Sequence, residues 1–288
     1  MKIGPISDEA FDLPEEIIEK YKIGVARFKI DLQELKNLPG NIYQKTREAE
    51  RQGIESVVKT SQPSINDFLS IFKEKLNELE EVFCVTISSK LSGTYNSAVQ
   101  AKKFLQKEFQ DKVHVIDSLN GSAGQGLVVL KIIELAKRNL NSQEINNKIK
   151  EVIEKTKLLG MYHDPKWLKA SGRFPRFIPA IMEKAEKMSI KPVFKMENGK
   201  LSVAGVKRNI IDLSSALFEE FDKATKKDRR EGKKIIVGIT HADDISQATK
   251  LKEMILSFKN TEVAFINLTC FPIGGHIGPN SLILSWQE

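Results

Sequence analysis

The stretch ISSKLSGTYNSA, residues 87–98, places four serines and a threonine around one glycine. It follows the apolar run VFCVT, so its hydroxyl groups stand at the end of a predicted buried strand. Hydroxyls in such a place can attack a substrate or can hold a ligand by hydrogen bonds. A nucleophilic serine at a strand–helix turn requires the spacing G-x-S-x-G, and Lys90 and Thr94 occupy the two glycine positions around Ser92. The spacing therefore disfavours nucleophilic attack by Ser92.

Serine catalysis also needs a general base, and His276 is the candidate that the sequence offers. No acid can be paired with this histidine from the sequence. A serine-dependent acyl hydrolase or acyltransferase that uses Ser92 and His276 is therefore kept as the alternative function. The preferred prediction is that the chain is not an enzyme.

Two other segments repeat the same mixture of Ser, Thr and Gly: KTSQPS at residues 59–64 and DSLNGSAGQG at residues 117–126. All three segments are expected to follow strands and to precede helices. Ligands of open α/β sheets bind at the carboxyl ends of the strands, and helix N-termini favour anions. The ligand group is therefore predicted to be a carboxylate or a phosphate. Ordinary capping and turn chemistry is the alternative explanation for each segment taken alone.

The segment GGHIGPN, residues 274–280, is a fourth candidate. Its three glycines permit close approach of the backbone, and His276 between them can donate a hydrogen bond to an anion. The phosphate-binding sequence G-x-x-x-x-G-K-[ST] does not occur, and GSAGQG lacks the spacing of a dinucleotide-binding turn. The nucleotide interpretation is therefore weak.

The composition argues against several function classes. Cys84 and Cys270 lie in apolar runs and are predicted to be reduced core thiols. The four histidines lack the spacing of metal ligands, so no metal and no cofactor is expected. The net charge is +7, but the basic stretch at residues 223–234 contains no aromatic side chain to stack on a base, so no nucleic-acid partner is expected. The absence of a bilayer-length apolar run and of a signal-peptide pattern predicts a cytoplasmic protein without integral membrane association.

The elements that must position these residues alternate between strands and helices in the first half. EVFCVTISS and KVHVIDS are predicted strands, and SINDFLSIFKEKLNELE, GTYNSAVQAKKFLQKEF and GQGLVVLKIIELAKR are predicted helices. Ser64 and Asp67 form a predicted capping box at the start of the first helix. Near-continuous apolar strands in this order predict a parallel sheet with helices on both faces, as in a Rossmann-like αβα domain.

The pattern changes near the end of the amphipathic segment SQEINNKIKEVIEKTKLLG. IKPVFKMENGKLSVAGV holds Asn198 and Gly199 between two alternating runs, which predicts a β-hairpin. The chain is therefore predicted to be α/β, with an N-terminal domain over residues 1–158 and a C-terminal domain over residues 159–288. The second domain is expected to contain a mixed or antiparallel sheet, and the ligand site is expected between or beside the two domains.

Taken together, these motifs resemble the DegV family of bacterial fatty-acid-binding proteins. The similarity runs through KTSQPS, ISSKLSGTYNSA and VIDS, then through WLKASGRFPR, the hairpin IKPVFKMENGKLSVAGVKR, and GGHIGPNSL. It covers nearly the whole chain, and the pair TSQPS and SSKLSGTYNSA is its most specific part.

The resemblance implies two α/β domains that bury a long acyl chain, such as that of palmitate, and a carboxylate held by two hydroxyl-rich loops and a C-terminal histidine. In this sequence the matching residues are Thr60, Ser61, Ser92, Gly93 and His276. Ser118, Arg173 and Arg208 are expected to support the site or to dock a partner. The resemblance also implies that a separate fatty acid kinase phosphorylates the bound carboxylate, and that the binding protein is not the catalyst.

The sequence departs from the family pattern in three places. The family usually begins with TDS…DLP, whereas this chain has SDEAFDLP with Glu9 at the serine position. Gly275 and Ile277 replace the usual threonines beside the histidine, and Pro175 comes two residues after Arg173 in the arginine segment. Because of the change at Glu9, no part in the site is assigned to the first loop.

Overall fold

The computed structural model describes residues 2–31, 35–54, 59–138, 140–164, 166–167, 188–210 and 212–288. In these ranges the helices are α1 (Glu15–Lys20), α2 (Ile42–Arg51), α3 (Ile65–Leu76), α4 (Thr94–Lys103), α5 (Lys107–Gln110), α6 (Ser122–Lys137), α7 (Ser142–Lys155), α8 (Leu213–Arg230), α9 (Ile245–Leu256) and α10 (Phe271–Ile277), with a short 3-10 helix at Glu9–Phe11. The strands are β1 (Ile3–Asp8), β2 (Gly24–Ala26), β3 (Lys29–Asp31), β4 (Lys59–Ser61), β5 (Glu81–Thr86), β6 (Val113–Asp117), β7 (Lys157–Met161), β8 (Ile190–Glu197), β9 (Lys200–Arg208), β10 (Ile235–His241), β11 (Thr261–Leu268) and β12 (Leu282–Gln287).

The N-terminal sheet has four parallel strands in the order β2-β1-β5-β6. Its central strands are apolar on both faces because each face is covered by helices. On one face α3 and α4 pack through Phe68, Phe72, Ala98 and Ala101, and on the other face lies α6. The predicted parallel sheet with helices on both faces is confirmed.

The C-terminal sheet has six strands in the order β11-β10-β12-β7-β8-β9. Strands β10 and β11 are parallel, and the other neighbouring pairs are antiparallel, so the predicted mixed sheet is confirmed. The residues of β7 pair with β12 and β8, so the predicted boundary at residue 158 falls inside this strand. The division into two domains stays a prediction.

Helix α6 lies between the two sheets and is buried along most of its length. Leu127, Val128 and Ile132 pack with Phe83 of the N-terminal sheet and with Phe265 of the C-terminal sheet. A helix that is apolar all round is expected where both sides are covered by protein. The position of α6 is therefore fixed by both halves of the chain.

Two local predictions are confirmed and two are corrected. Ser64 and Asp67 form the expected capping box of α3, and Asn198 and Gly199 form the hairpin turn between β8 and β9, both with positive φ. The helix expected over residues 93–109 instead ends at Lys103, and the last residues of the segment SQEINNKIKEVIEKTKLLG belong to β7. No helix in the described ranges is long and apolar enough to cross a membrane.

Candidate functional site

The loop between β5 and α4 carries Ser92 and Gly93. Its start is fixed by Asp8, whose Oδ2 accepts a hydrogen bond of 2.7 Å from the backbone N–H of Ile87. Gly93 is the N-cap of α4, and the hydroxyl of Ser92 lies 2.8 Å from Thr94 Oγ1. Ser92 is half-buried. Because it directly precedes the N-cap residue Gly93, its hydroxyl group lies at the start of the helix.

Thr60 and Ser61 lie in a different setting from the one that the sequence predicts. They belong to β4, which pairs with β3 in a separate two-stranded antiparallel ribbon, so KTSQPS does not follow a strand of the parallel sheet. The prediction that KTSQPS follows a strand of the parallel sheet is therefore wrong. The two-stranded ribbon of β3 and β4 places Thr60 and Ser61 at the site instead. Thr60 is half-buried and Ser61 is exposed.

Gln62 connects this ribbon to the loop of Ser92. Its Nε2 donates a 3.0 Å hydrogen bond to Ser97 Oγ in α4. A Cβ atom on Gly93 would lie 2.4 Å from Gln62 Oε1, so the absence of a side chain at Gly93 permits this close approach. The two hydroxyl-bearing segments therefore lie side by side.

His276 lies in α10, close to the C-terminal end of that helix. The segment GGHIGPN starts within this helix, and Gly278 follows it with φ of 80°. His276 Nε2 lies 3.4 Å from Thr60 Oγ1 across 216 residues of sequence. The helix also contributes Ile273 to an apolar cluster that includes Leu91, the residue before Ser92. The structure thus brings together the segments that carry Thr60, Ser92 and His276.

Two contacts fix the start of α10. The backbone N–H of Cys270 donates a 2.7 Å hydrogen bond to Asp12 Oδ1. The hydroxyl of Tyr43 donates a 2.6 Å hydrogen bond to the carbonyl oxygen of Thr269, and Gly274 lies directly against the Tyr43 ring. The position of the histidine therefore depends on residues from α2 and from the loop after β1.

Three carboxyl groups at the end of β1 and in the segment after it have raised pKa values. Burial raises the pKa of Asp8 and that of Asp12 to about 7 in each case, against the hydrogen bonds that each carboxyl accepts. Burial also raises the pKa of Glu9, whose Oε1 accepts a 2.6 Å hydrogen bond from the backbone N–H of Phe28. Through the hydrogen bonds that they accept, the three carboxyl groups hold the backbone N–H groups of Ile87, Phe28 and Cys270 in place.

Comparison with known proteins gives the family. The profile described as "Uncharacterised protein, DegV family" matches residues 2–288. This chain belongs to the DegV family. A DegV domain-containing protein of Clostridium perfringens is 30% identical over 292 residues, which cover 100% of this chain and 99% of that protein.

Other DegV relatives are described by their ligand. A fatty acid-binding protein of Thermotoga maritima is 28% identical, with 98% of this chain and 96% of that protein covered. The crystal structure of a DegV lipid binding protein from the same organism superposes with a TM-score of 0.79 at 26% identity, over 100% of this chain and 98% of that one. A DegV family protein from Thermus thermophilus superposes with a TM-score of 0.85 at 24% identity over all of both chains, which confirms the fold.

The parts of the remaining residues predicted from the sequence stay predictions. Ser118 lies in the turn after β6, and the carbonyl oxygen of Asn120 in this turn accepts a 2.7 Å hydrogen bond from the N–H of Ser88, at the base of the loop between β5 and α4. Ser118 is buried in a turn, where its hydroxyl donates to the carbonyl oxygen of Asn120 and accepts from the same residue's N–H. Arg208 is exposed at the open end of the β8–β9 hairpin, roughly 25 Å of strand from its turn. Arg173 lies outside the described residues.

The turn of this hairpin makes a contact that the sequence did not predict. Ser88 is buried and its hydroxyl donates a 2.6 Å hydrogen bond to the carbonyl oxygen of Gly199. The hairpin therefore extends from the C-terminal sheet to the base of the loop that carries Ser92. The Asn-Gly pair identified the turn, but nothing in the sequence indicated where it would dock.

The donor set of the site consists of hydroxyls, backbone N–H groups and one imidazole. Such groups bind an anion through hydrogen bonds and bring no permanent positive charge. The described part of the chain contains no cluster of His, Cys, Asp and Glu that could hold a metal ion. Cys84 and Cys270 are unpaired thiols, as predicted.

Proposed function

We propose that this DegV protein binds a long-chain fatty acid without a covalent bond and holds its carboxylate with donors from three segments. The proposed donors are the hydroxyls of Thr60, Ser61 and Ser92, the backbone N–H of Gly93 and the imidazole of His276. The observation that carries the proposal is the 3.4 Å approach of Thr60 Oγ1 to His276 Nε2. These residues are far apart in sequence, and Gln62, two residues after Thr60, contacts Ser97 in the first turn of α4, a helix N-terminus that favours an anion.

The names of the relatives support the choice of ligand. One Thermotoga maritima relative is a fatty acid-binding protein, and a solved structure from the same organism is described as a DegV lipid binding protein. Both align with nearly the whole of this chain, so the comparison covers every segment of the proposed site.

Apolar side chains beside the polar donors support an amphiphilic ligand. They form a cluster of Ala10, Phe28, Ile87, Leu91, Cys270 and Ile273. The members come from the first loop, the segment after β2, the loop before α4 and the start of α10. A site for a fatty acid needs such apolar surface next to a few polar groups that fix the carboxylate.

The same donor set suits a carboxylate that must react later. Hydrogen bonds from hydroxyls, a backbone N–H and an imidazole hold it in place without the strong ion pair that an arginine or lysine would form. One carboxylate oxygen then remains able to attack a phosphoryl group. In this proposal the protein presents its fatty acid, palmitate or a chain of similar length, to a separate fatty acid kinase in the cytoplasm and does not itself catalyse the transfer.

Removal of one donor tests the site. The Ser92→Ala variant is expected to bind palmitate roughly 10- to 100-fold more weakly after delipidation, because a hydrogen bond to a charged group contributes about 1.5–3 kcal/mol. Isothermal titration measures the affinity. Ser70→Ala is the matched control, since Ser70 is an exposed serine in the middle of α3. Equal affinity of Ser92→Ala and the wild-type protein contradicts the assigned role.

Mass spectrometry separates binding from the alternative acyl-enzyme function. Under native conditions the purified protein is expected to carry the added mass of a fatty acid, and denaturation is expected to release it completely. A mass that stays on Ser92 after denaturation favours the serine hydrolase or acyltransferase and overturns the carrier proposal.

A further inference from the structure

We propose that Asp12 is a positioning residue for the head-group site: it fixes the start of α10 and so places His276 against Thr60. The inference rests on the proposed function, because it assigns to this aspartate a part in holding the fatty acid carboxylate. Asp12 itself stays away from the ligand and acts through the helix.

The side chain of Asp12 joins two elements that are far apart in the sequence. Oδ1 accepts the N–H of Cys270 at 2.7 Å, and Oδ2 accepts the hydroxyl of Ser122 at 2.6 Å. The same hydroxyl lies 2.7 Å from Thr240 Oγ1 in β10. One carboxyl group therefore connects the N-cap residue of α10 to α6 and, through Ser122, to the C-terminal sheet.

The backbone of Asp12 adds a third connection. Its carbonyl oxygen accepts a 3.0 Å hydrogen bond from Asn267 Nδ2 in β11. Its φ is 50°, in the left-handed region that aspartate tolerates better than most residues, and the residue is only 3% exposed. This conformation turns the carboxyl group toward Cys270 and Ser122 at the same time.

Helix α10 needs such anchors because it is short. It spans seven residues, and Cys270 at its N-cap makes no side-chain capping hydrogen bond. Helices of this length are not stable by themselves, so their orientation is set by tertiary contacts. Tyr43 fixes the residue before Cys270 and contacts Gly274, and Asp12 fixes Cys270 itself.

The geometry makes His276 sensitive to this anchor. His276 lies six positions after Cys270, a distance of roughly 9 Å along the helix axis. A tilt of about 10° would therefore move the imidazole by about 1.5 Å. The present distance of 3.4 Å from Thr60 Oγ1 is already at the long end of hydrogen bonding, so a movement of this size away from Thr60 breaks the contact.

A double-mutant cycle with Asp12→Gly and His276→Ala tests the proposal. Glycine accepts the left-handed φ of position 12, so this variant removes the carboxyl group without backbone strain. Each single variant is expected to weaken palmitate binding roughly tenfold, because each removes the same set of contacts to the ligand. The double variant is expected to bind within about twofold of His276→Ala alone. Losses that multiply to about a hundredfold overturn the proposal, because independent sites are additive in free energy.

A conservative variant separates positioning from general stability. Asp12→Asn keeps an oxygen for the N–H of Cys270 and tolerates the same φ, so its affinity is expected to stay within about threefold of the wild-type value. If Asp12→Gly does not fold, Asn267→Ala replaces it in the cycle, since it releases the backbone of Asp12 and leaves the carboxyl group in place. Asn267→Ala alone is expected to weaken palmitate binding less than Asp12→Gly does, and its effect is again expected not to add to that of His276→Ala. Additive losses of binding free energy overturn the proposal.

Hydrogen exchange without any fatty acid keeps this inference separate from the proposed function. Amides of residues 270–277 are expected to exchange faster in Asp12→Gly than in the wild-type protein and to keep their protection in Asp12→Asn. Unchanged exchange in Asp12→Gly overturns the role of Asp12, even if palmitate binds. Faster exchange in a protein that binds no fatty acid supports the anchor and overturns only the proposed ligand.

Discussion

The buried carboxyl group of Asp12 is expected to make the stability of the fold depend on pH between its unfolded pKa of 3.8 and its folded pKa of about 7. Burial raises its pKa from 3.8 to about 7 in the folded protein, whereas the unfolded chain keeps the ordinary value. Between these two values the folded state holds a proton that the unfolded state has lost. The contribution to stability is therefore complete below the unfolded pKa, falls as the pH rises toward 7, and becomes constant above the folded pKa.

The size of the effect follows from the shift. Each pH unit within this window changes the free energy of unfolding by about 1.4 kcal/mol per carboxyl group. From pH 5 to pH 7 the loss from Asp12 amounts to about 2 kcal/mol, since protonation is already incomplete near the folded pKa. Asp12→Asn removes this titration and retains an uncharged side chain of the same shape, so the variant is expected to gain stability relative to the wild-type protein by that amount.

Urea denaturation of both proteins at pH 5, 6, 7 and 8 measures the difference. Asp8 has a similarly raised pKa, and burial lowers the pKa of His241, which acts in the opposite direction. Both groups are the same in the two proteins, so their effects cancel in the comparison. Parallel curves of unfolding free energy against pH would refute the argument, because they would show that Asp12 titrates alike in the folded and unfolded states.

Two further predictions concern packing and thiol reactivity. Gly274→Ala is expected to destabilise the fold by about 1–3 kcal/mol in thermal or urea unfolding, because its Cβ would overlap the Tyr43 ring. Gly205→Ala, at a glycine with no atom near the added Cβ, serves as the control, and equal losses contradict the packing argument. Burial raises the pKa of the Cys84 and Cys270 thiols, so both are expected to react with a disulfide reagent at pH 8 only after unfolding; rapid labelling of the native protein refutes this.

Elements whose signals are local could be predicted from the sequence. Strand β5 is a nearly continuous apolar run, β6 is rich in β-branched residues, and the capping box of Ser64 and Asp67 requires only three residues of spacing. The hairpin turn at Asn198 and Gly199 is equally local. The positions of these elements therefore agree with the structure to within a few residues.

Elements that depend on distant partners were predicted poorly. Strands β3 and β4 are only three residues long, and they pair across α2. The segment KTSQPS alone therefore does not indicate that it forms this ribbon. Helix α10 contains two glycines within seven residues, which disfavour a helix, and its start is held by contacts with Asp12 and Tyr43.

The residues of the candidate site divide in the same way. The hydroxyl-rich loops and His276 were recognisable from residue type. The parts of Gln62, Ser88 and Asp12 were not, because each acts through a contact with a remote segment.

Strand β12 is synthesised after β7 and β10, yet it lies between them in the C-terminal sheet. On the ribosome the nascent chain therefore carries β7 and β10 with open hydrogen-bonding edges until residues 282–287 emerge. The N-terminal sheet meets no such delay, since its four strands all lie within residues 3–117. A chain whose translation stops early would thus combine a folded first half with open strand edges, the kind of species that chaperones hold and that pairs with other copies.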